Sequence, residues 1–414
     1  MAKLQPIRGT HDLLFDDARK HAHVMDVFRA LAERYGYGRI DTPIIEFTEV
    51  FQRTLGETTD VVTKEMYTFE DRGGDSITLR PELTAGVARA FISGGLAQNL
   101  PLKLYSWGAM FRRERPQKGR QRQFHQLDVE VLGVDGPQAD IEVIALGAHL
   151  LDELGLTGRV TLELNTLGDR ESRKAYRDVL AGFLADHRDQ LSEEGQHRLE
   201  HNPLRILDTK DKGDRAVISD APRMSEHLNV ESSEFFAQVC DGLDQLGIDY
   251  VLNEKLVRGF DYYTHTAFEF ITEHLGAQGT VIGGGRYDHL IETMGGPATP
   301  GIGWAAGIER LAMLAEEAPA AVRPIAVIPV GGEAQEAAMS LTNSLRRHGL
   351  TADQGFRGNL KKRMERANKA HARFAVLIGG DELERGVATV RDLDTGDQQE
   401  VIMDEVAAHL SAKL

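Results

Sequence analysis

The sequence predicts an α+β protein in two parts: a first domain over residues 1–322 with a helical insertion at 172–246, and a small α/β domain over residues 323–414. Three observations predict it. A basic loop after Phe111 leads into a segment that alternates polar and apolar residues, which is typical of a strand. Strand signals fade in the charge-rich stretch 172–246. Beyond Arg323, strand-like and helix-like segments alternate, which indicates an α/β domain with a largely parallel sheet.

The first elements follow from hydrophobic spacing and chain breakers. Residues from about Asp16 to Tyr35 have the spacing of an amphipathic helix. The apolar stretch from Ile40 to Phe47 predicts a strand, and Pro43 should cap or kink one edge of that strand. The sequence SITLRPELTAG then predicts a strand, a turn at its proline and a helix that opens near Thr84. Glu82 and Thr84 therefore lie together at a strand-to-helix junction.

The basic loop is a local positive spot on an acidic chain. Six of the eleven residues from Arg112 to Arg122 are cationic, and only Glu114 opposes them. Guanidinium groups match phosphate oxygens bidentately, so phosphate is the expected partner. In the strand that follows, one face carries an aromatic ring, an amide and two carboxylates. These residues are Phe124, Gln126, Asp128 and Glu130. The alternative is a solvated hairpin with a charged tip.

Three later segments carry candidate site residues, and each has a structural alternative. LVRGFDYYTHTAFEF holds Arg258 and Tyr263, which share a pocket only if the chain turns or bulges near Gly259. GGGRYD predicts a glycine turn at 283–285 and does not fit the dinucleotide fingerprint. PGIGWAAGIERLAML predicts small residues before an apolar helix from about Trp304, with Arg310 in its first turns. Taken singly, each segment is consistent with sheet packing, a turn and a surface arginine.

The last part carries the second basic patch. RPIAVIPVG and FAVLIGG predict strands separated by helices, the first of which ends near Arg347. Its central stretch 357–373 holds seven cations against one acid, Glu365. The histidines show no ligand spacing such as HExxH, so no metal site is expected.

Composition and charge narrow the class of protein. The 414-residue chain is 41% hydrophobic and 27% charged, which is ordinary for globular domains. A single cysteine, Cys240, fits a reducing compartment and excludes cysteine-based zinc chemistry. We find no leader pattern and no apolar run of about 18 residues, so we expect a cytoplasmic protein without membrane association. The net charge of −16 argues against non-specific coating of nucleic acid, so no DNA partner is expected.

Together these segments resemble the class II aminoacyl-tRNA synthetases, and within them the bacterial histidyl-tRNA synthetases. IRGTHD, YGYGRIDTPIIE, TDVVTKEMYTFED, TLRPELTAG and FRRERPQKGRQRQFHQ stand in family order, and PGIGWAAGIERL resembles the third class motif. RGFDYY and GGGRYD resemble the two histidine-specific signatures. The resemblance covers essentially the whole chain.

The resemblance implies a fold, an activity and partners. The first domain would be an antiparallel sheet flanked by helices, and residues 323–414 would bind the tRNA anticodon. The protein would be a homodimer built partly on the YGYGRIDTPIIE region. It would activate histidine with ATP and Mg²⁺ and transfer it to the 3′ end of its tRNA. The protein itself would hold no resident metal ion.

Matching positions carry the family roles by resemblance. The ATP-binding residues would be Arg112 at the α-phosphate, Glu114 at the adenine amino group, Phe124 stacked on adenine, and Arg120 and Arg310 at the outer phosphates. The histidine-binding residues would be Glu82 and Thr84 at the α-amino group, Gln126 at the carboxylate, and Glu130, Tyr263 and Tyr287 around the imidazole. Arg258 would act with Arg112 as a catalytic residue, from the opposite side of the α-phosphate. The tRNA-binding residues would include Arg357, Lys361, Lys362 and Arg363.

Three residues depart from the family pattern, and three other functions compete. Leu83 replaces a common glycine, Gln121 a common aromatic residue, and Asp128 a small residue, so the recognition of the tRNA acceptor end stays open. A histidine-sensing regulatory relative without a tRNA domain is the first alternative, but the α/β tail opposes it. Another class II synthetase is opposed by RGFDYY and GGGRYD. A plain nucleotide-binding module does not explain two separate basic patches.

Overall fold

The computed structural model describes residues 3–56, 59, 61–260, 262–276, 279–315 and 319–414. Asp60 and Asp261 of two quoted motifs, and residues 316–318 of the linker, lie outside these residues. Chain contacts divide the protein into two compact units, Met1–Pro319 and Ala320–Leu414. The predicted boundaries 1–322, 172–246 and 323–414 stay predictions. No described helix combines the length and apolar character needed to cross a lipid bilayer.

The first unit contains an eight-stranded sheet and a separate three-stranded sheet. Its strands are β1 (Gly38–Arg39), β2 (Ile45–Phe47), β3 (Tyr67–Glu70), β4 (Ser76–Leu79), β5 (Leu102–Phe111), β6 (Gln123–Leu132), β7 (Thr161–Thr166), β8 (Val251–Leu252), β9 (Thr264–Ile271), β10 (Thr280–Arg286) and β11 (Gly301–Gly307). The large sheet has the order β1-β5-β6-β11-β10-β9-β7-β8, and the small one β2-β4-β3. From β5 to β7 every pairing is antiparallel, whereas the edge pairs β1–β5 and β7–β8 are parallel.

Helices cover this sheet and form the charge-rich middle of the unit. They are α1 (Phe15–Arg34), α2 (Thr48–Leu55), α3 (Thr84–Ser93), α4 (Gln138–Glu153), α5 (Arg170–Asp186), α6 (Glu193–His201), α7 (Lys212–Ile218), α8 (Val230–Gln245), α9 (Leu290–Thr293) and α10 (Ile308–Leu314). Shorter helical turns are Val61–Glu65, Leu96–Asn99, Arg188–Gln190, Pro203–Asp208 and Met224–His227. The helical character of residues 172–246 agrees with the sequence.

One large core joins α1, α4, α8 and α10 to the sheet. Phe28 of α1 is fully buried and packs on the Trp304 ring with a centroid distance of 5.7 Å. Val239 and Leu243 of α8 belong to the same core. The residues between α5 and α8 instead form their own cluster around Leu180. Helix α8 therefore packs with the sheet, although its sequence has the texture of the preceding helical stretch.

Two sequence expectations were wrong in the glycine-rich segments. Residues 283–285 lie inside strand β10 and do not form a turn. Strand β11 runs through Trp304, so the helix begins only at Ile308. Glycine is needed in β10 because other groups lie directly against the backbone. A Cβ at Gly283 would lie 2.7 Å from the Arg258 guanidinium, and one at Gly285 would lie 2.8 Å from the Tyr263 ring.

The second unit has its own sheet and core. Its elements are β12 (Ile325–Pro329), α11 (Gln335–Arg347), β13 (Ala352–Gln354), α12 (Leu360–Lys369), β14 (Phe374–Ile378), α13 (Gly380–Arg385), β15 (Val387–Asp392), β16 (Gln398–Ile402) and α14 (Val406–Ser411), with a turn at Met403–Glu405. The strand order is β13-β12-β14-β15-β16. The prediction of a largely parallel sheet was wrong for half of it, since β14, β15 and β16 pair antiparallel. Short connections such as 393–397 allow a hairpin, which needs no crossover helix.

Candidate active site

The predicted site residues of the first unit converge on one cavity of about 370 Å³. All of them line it except Glu130, whose carboxylate accepts a hydrogen bond from the lining Tyr287. The lining residues that the sequence predicted are Glu82, Thr84, Arg112, Glu114, Arg120, Phe124, Gln126, Arg258, Tyr263, Tyr287 and Arg310. Of the basic loop, Arg112 and Arg120 line the cavity, whereas Arg113, Arg115 and Lys118 are exposed.

The strand-to-helix junction forms one wall of the cavity. Strand β4 ends at Leu79, and α3 begins at Thr84, as the proline between them predicts. The Glu82 carboxylate accepts a hydrogen bond of 2.7 Å from the Ala85 backbone N–H, which fixes it at the helix start. The Thr84 hydroxyl lies near the carboxyl groups of both Glu82 and Glu130, and it opposes the rise that burial causes in the pKa of each.

Three buried carboxyl groups lie close together at this wall. Burial raises the pKa of Glu82 and raises the pKa of Glu130 to about 8. Burial, with the nearby Glu130 and Glu82 groups, also raises the pKa of Asp128 well above its ordinary value. Removing a carboxylate from water disfavours its charged form, and like charges add to the effect. At neutral pH this wall therefore carries protonated carboxyl groups as well as hydrogen-bond acceptors.

Tyrosines complete the acidic wall. The Tyr287 hydroxyl donates to Glu130, and the Tyr262 hydroxyl donates to Glu82 at 3.3 Å. The Tyr262 and Tyr263 rings lie 4.5 Å apart between centroids. Tyr263 and Tyr287 are almost fully buried. A ligand in this part of the cavity would meet aromatic rings, hydroxyl groups and carboxyl groups that are largely buried.

The opposite wall is cationic. Arg112 donates through Nε to the Pro81 carbonyl at 2.9 Å, and its guanidinium lies 5.3 Å from the centre of the Phe124 ring. Arg120 pairs with Glu114. Burial lowers the pKa of Arg310, and the charges of Arg120 and Arg112 lower it further. Guanidinium groups that repel one another at close range form an anion site.

Arg258 lies between the two walls. Its guanidinium pairs with Glu269 and lies 5.4 Å from the centre of the Tyr263 ring. Burial by itself would lower the pKa of Arg258, but Glu269 raises it above the ordinary value. Glu269 also accepts a hydrogen bond of 2.8 Å from the Thr280 hydroxyl. Arg258 and Tyr263 therefore share one pocket. Sequence analysis allowed this only if the chain turns or bulges near Gly259.

A fully buried ion pair supports this pocket from behind. Arg286 and Asp140 have no exposed side-chain surface. Arg286 donates through Nε to Asp140 at 3.1 Å, through Nη1 to the Val134 carbonyl and to Asp288 at 3.0 Å each, and through Nη2 to the Gly136 carbonyl at 3.0 Å and to Asp140. All five guanidinium N–H groups are thus used. Arg286 and its acceptor Asp288 directly flank Tyr287, so these contacts fix the chain on both sides of Tyr287.

Sequence reasoning missed several lining residues. Glu269, Tyr262 and Glu309 all line the cavity. For Glu269 a signal existed, because it is a single carboxylate between Phe268 and Phe270 in an apolar strand. For Tyr262 and Glu309 the neighbouring site residues were the only signal. Gln121 also lines the cavity, whereas Leu83 and Asp128 are buried beside it.

The four predicted tRNA-binding residues lie in the second unit, on and before helix α12. Arg357, Lys361 and Lys362 are exposed. Arg363 is half-buried, and its guanidinium donates to the Pro329 carbonyl. Arg363 therefore contacts the end of β12, and the exposed cations of the patch are Arg357, Lys361, Lys362, Arg366 and Lys369.

Comparison with known proteins decides the family. The family model described as histidyl-tRNA synthetase matches residues 9–311, and the one described as anticodon binding domain matches residues 324–413. The chain belongs to the histidyl-tRNA synthetase family. The family resemblance and the fold class that the sequence predicted are thereby confirmed.

Relatives of this histidyl-tRNA synthetase family match along the whole chain. A histidine–tRNA ligase of Rhodospirillum rubrum is 61% identical over 402 residues, which are 97% of each chain. One from Gluconacetobacter diazotrophicus is 54% identical over 411 residues, which are 99% of each chain. The crystal structure of apo histidyl-tRNA synthetase from S. aureus is similar with a TM-score of 0.84 and 36% identity, covering 98% of this chain and 99% of that one.

We expect Asp140→Asn to lower the free energy of unfolding by about 3–5 kcal/mol, because it leaves the buried Arg286 charge without its main partner. Both tryptophans, Trp107 and Trp304, lie in the first unit, so tryptophan fluorescence during urea unfolding measures this unit. Asp178→Asn is the control, since Asp178 pairs with Arg177 at the surface and should contribute little. Similar losses in both variants would contradict the importance of the buried pair.

We expect Glu130→Gln to gain stability relative to the wild type as pH rises from 5 to 8. The pKa of Glu130 is about 8 in the folded protein and near 4.5 when unfolded, so between these values the folded state binds the extra proton. Stability of the wild type therefore falls with rising pH in this window, and glutamine removes that fall. The difference should reach on the order of 3 kcal/mol, measured by urea unfolding at each pH. Glu49→Gln, at an exposed ion pair, should give a flat difference curve.

Proposed function

We infer that this chain is a histidine–tRNA ligase, which activates histidine with ATP and then transfers it to the 3′ end of its tRNA. The observation that carries this inference is the division of one cavity into an acidic, tyrosine-lined wall and an arginine wall. An amino acid and a triphosphate have complementary charges and can lie side by side in such a cavity. The family relatives named as histidine–tRNA ligases support the same activity.

We propose that histidine occupies the acidic wall. Its α-ammonium group would lie against Glu82 and Thr84, and its carboxylate would meet Gln126. Its imidazole would lie against Glu130, Tyr263 and Tyr287. Because the Glu130 pKa is raised to about 8, its protonated form can donate to an imidazole nitrogen, and its ionised form can accept from an N–H. A buried site that hydrogen-bonds a polar side chain rejects analogues that lack it.

We propose that ATP occupies the arginine wall. Adenine would stack on Phe124 with its amino group at Glu114, and the outer phosphates would meet Arg120 and Arg310. Binding of the nucleotide requires Glu114 to share or exchange its contact with Arg120. Phosphate oxygens would offset the mutual repulsion of the guanidinium groups that lowers the pKa of Arg310. These contacts leave the α-phosphate at the junction of the two walls.

Arg112 and Arg258 would carry the chemical step. A carboxylate oxygen of histidine attacks the α-phosphorus, the bond to the bridging oxygen of the β-phosphate breaks, and pyrophosphate leaves. Charge grows on the non-bridging oxygens in the transition state, where fixed guanidinium groups stabilise it more than in bound ATP. The second step moves the histidyl group from the adenylate to a ribose hydroxyl of the tRNA and releases AMP.

Magnesium would enter with ATP. The lining carboxylates in the described part of the cavity are engaged, with Glu269 bound to Arg258, Glu309 to His125 and Glu82 to the Ala85 N–H. Mg²⁺ keeps several waters and binds substrate phosphates through few protein ligands. It would neutralise charge on the outgoing pyrophosphate. The protein's own contribution is then the placement of Arg120 and Arg310.

We propose that residues 323–414 bind the anticodon end of the tRNA, that residues 1–322 form the catalytic domain, and that 172–246 is an inserted helical domain. The match of residues 324–413 to an anticodon binding domain supports the first assignment. We further propose a cytoplasmic homodimer without a DNA partner. Exposed apolar residues at the end of the YGYGRIDTPIIE segment and directly after it, Ile44, Ile45 and Phe47, suit a contact with a second copy.

ATP–pyrophosphate exchange with each of the twenty amino acids tests this function. Exchange with histidine alone is expected. Silence with all twenty would favour the regulatory relative that senses histidine without activating it. Exchange with another amino acid would contradict the assignment of Tyr263 and Glu130 to the imidazole.

We expect Arg258→Lys to slow histidine-dependent exchange by about 10²–10³-fold while the protein stays folded. Lysine keeps a cation for Glu269 but loses the planar fork that would bind the α-phosphate. Arg258→Ala is the less informative variant, because it would leave Glu269 buried without its partner. Arg53→Ala, on the exposed face of α2, is the control. A folded lysine variant with wild-type exchange would remove Arg258 from the chemical step.

We expect the double variant Lys361→Ala/Lys362→Ala to raise the KM for tRNA and leave histidine-dependent exchange unchanged. Each lost phosphate contact should reduce the salt dependence of tRNA binding by about one logarithmic unit of slope. Arg391→Ala/Lys413→Ala removes two exposed charges of the same unit outside the patch and should have little effect. Equal losses in exchange and charging would mean that the tail supports the catalytic core.

A further inference from the structure

Three side chains, one from β6 and two from helices α1 and α10, form a compact cluster that the proposed reaction does not use. They are His21 of α1, His125 of β6 and Glu309 of α10, and their potential ligand atoms lie within 4.8 Å of one another. His125 alternates with Phe124, so it points away from the cavity side of the strand. The His21 and His125 rings meet edge to face with centroids 4.7 Å apart.

One buried nitrogen has no partner. His21 is 93% buried by residue surface, and its Nε2 atom makes no hydrogen bond to any described residue. An unsatisfied buried polar atom is costly and calls for a specific reason. The His125 Nδ1 atom contacts Glu309 at 2.7 Å, and the His125 backbone N–H lies 3.0 Å from both oxygens of that carboxylate. The backbone thus holds the Glu309 carboxylate beside the His125 ring.

We propose that His21, His125 and Glu309 bind one divalent transition-metal ion of the zinc type. Two imidazoles and one carboxylate are a ligand set that open zinc sites use, with water in the fourth position. Zn–N and Zn–O bonds of about 2.0–2.2 Å place tetrahedral ligands roughly 3.3–3.6 Å apart, so side-chain movements of about 1 Å close the cluster around an ion. Mg²⁺ and Ca²⁺ are disfavoured because both prefer oxygen ligands.

The ion would join three elements that approach the cavity from behind. It would tie α1 to β6 and to the first turn of α10, where Glu309 directly precedes Arg310. Its role would be to hold this arginine-bearing turn in place, outside the chemical step. Sequence analysis predicted no metal site, because these three residues are scattered over the chain without a recognisable spacing.

Cobalt binding tests the proposal on the full chain, without a histidine tag and after removal of metal by a chelator. Co²⁺ should give visible d–d absorption that saturates at about one equivalent, and Zn²⁺ should abolish it. His21→Gln should weaken binding by more than about 100-fold, since even partners outside the ligand shell contribute about 10- to 100-fold. His23→Gln, the same change two residues along α1, is the matched control and should bind as the wild type does.

A replacement ligand makes the test independent of a destabilised variant. His21→Cys should retain one-equivalent binding and add the near-ultraviolet absorption of a cobalt–thiolate bond, because a thiolate is itself a zinc ligand. The wild-type protein should also unfold at a higher temperature with Zn²⁺ than with a chelator. Absence of saturable Co²⁺ absorption in the wild type would overturn the proposal. So would equal binding by the His21→Gln and His23→Gln variants, which would mark adventitious binding elsewhere.

Discussion

The pocket depends on the buried pair of Arg286 and Asp140. Removal of both charges from water is expensive, and a buried pair stabilises a fold only when its geometry and hydrogen bonding are complete. Here the hydrogen bonding of the Arg286 guanidinium is complete. Each of its N–H groups donates to Asp140, to Asp288 or to one of two backbone carbonyls. Such a pair tolerates one arrangement of β10, the start of α4 and the chain after β10. Tyr287 lies between its two anchored neighbours, so its hydroxyl has one position relative to Glu130.

Close backbone packing transmits this constraint across the sheet. The glycines of β10 leave room for the Arg258 guanidinium and the Tyr263 ring to lie directly on the strand. Strand β11, on the other side of β10, pairs Gly303 with Glu130 of β6. The acidic wall, Arg258 and the strand that carries Tyr287 are therefore parts of one antiparallel surface. A side chain at 283 or 285 would displace a functional group, which is why those positions are glycine although no turn is present.

Local pattern predicted most of the fold and of the site, and its failures have physical causes. The junction at Pro81, the alternation of β6 and the tail helices depend on short-range rules, and each formed as expected. The glycines at 283–285 and Trp304 were assigned to the wrong elements, because small residues indicate a turn when only the neighbouring sequence is considered. In the structure these small residues allow close packing between strands. Two of the four strand pairings in the second unit are antiparallel although a largely parallel sheet was predicted. Hydrophobic periodicity does not show which strand pairs with which. Arg286 and Glu309 were missed because their partners lie 146 and 184 residues away.

Each wall of the cavity holds ionisable groups whose pKa is shifted against their charged form. This explains how one site can favour two substrates of opposite charge. Protonated carboxyl groups on the acidic wall would release protons when an ammonium group arrives, because a nearby cation favours the ionised form. On the opposite wall, Arg310 loses basicity through its neighbours Arg120 and Arg112, and a bound triphosphate would reverse that loss. Under the proposed assignment, each substrate relieves the unfavourable charge state of its own wall. Arg258, already matched by Glu269, needs no such relief, so it can remain fixed between them while charge develops at the α-phosphate.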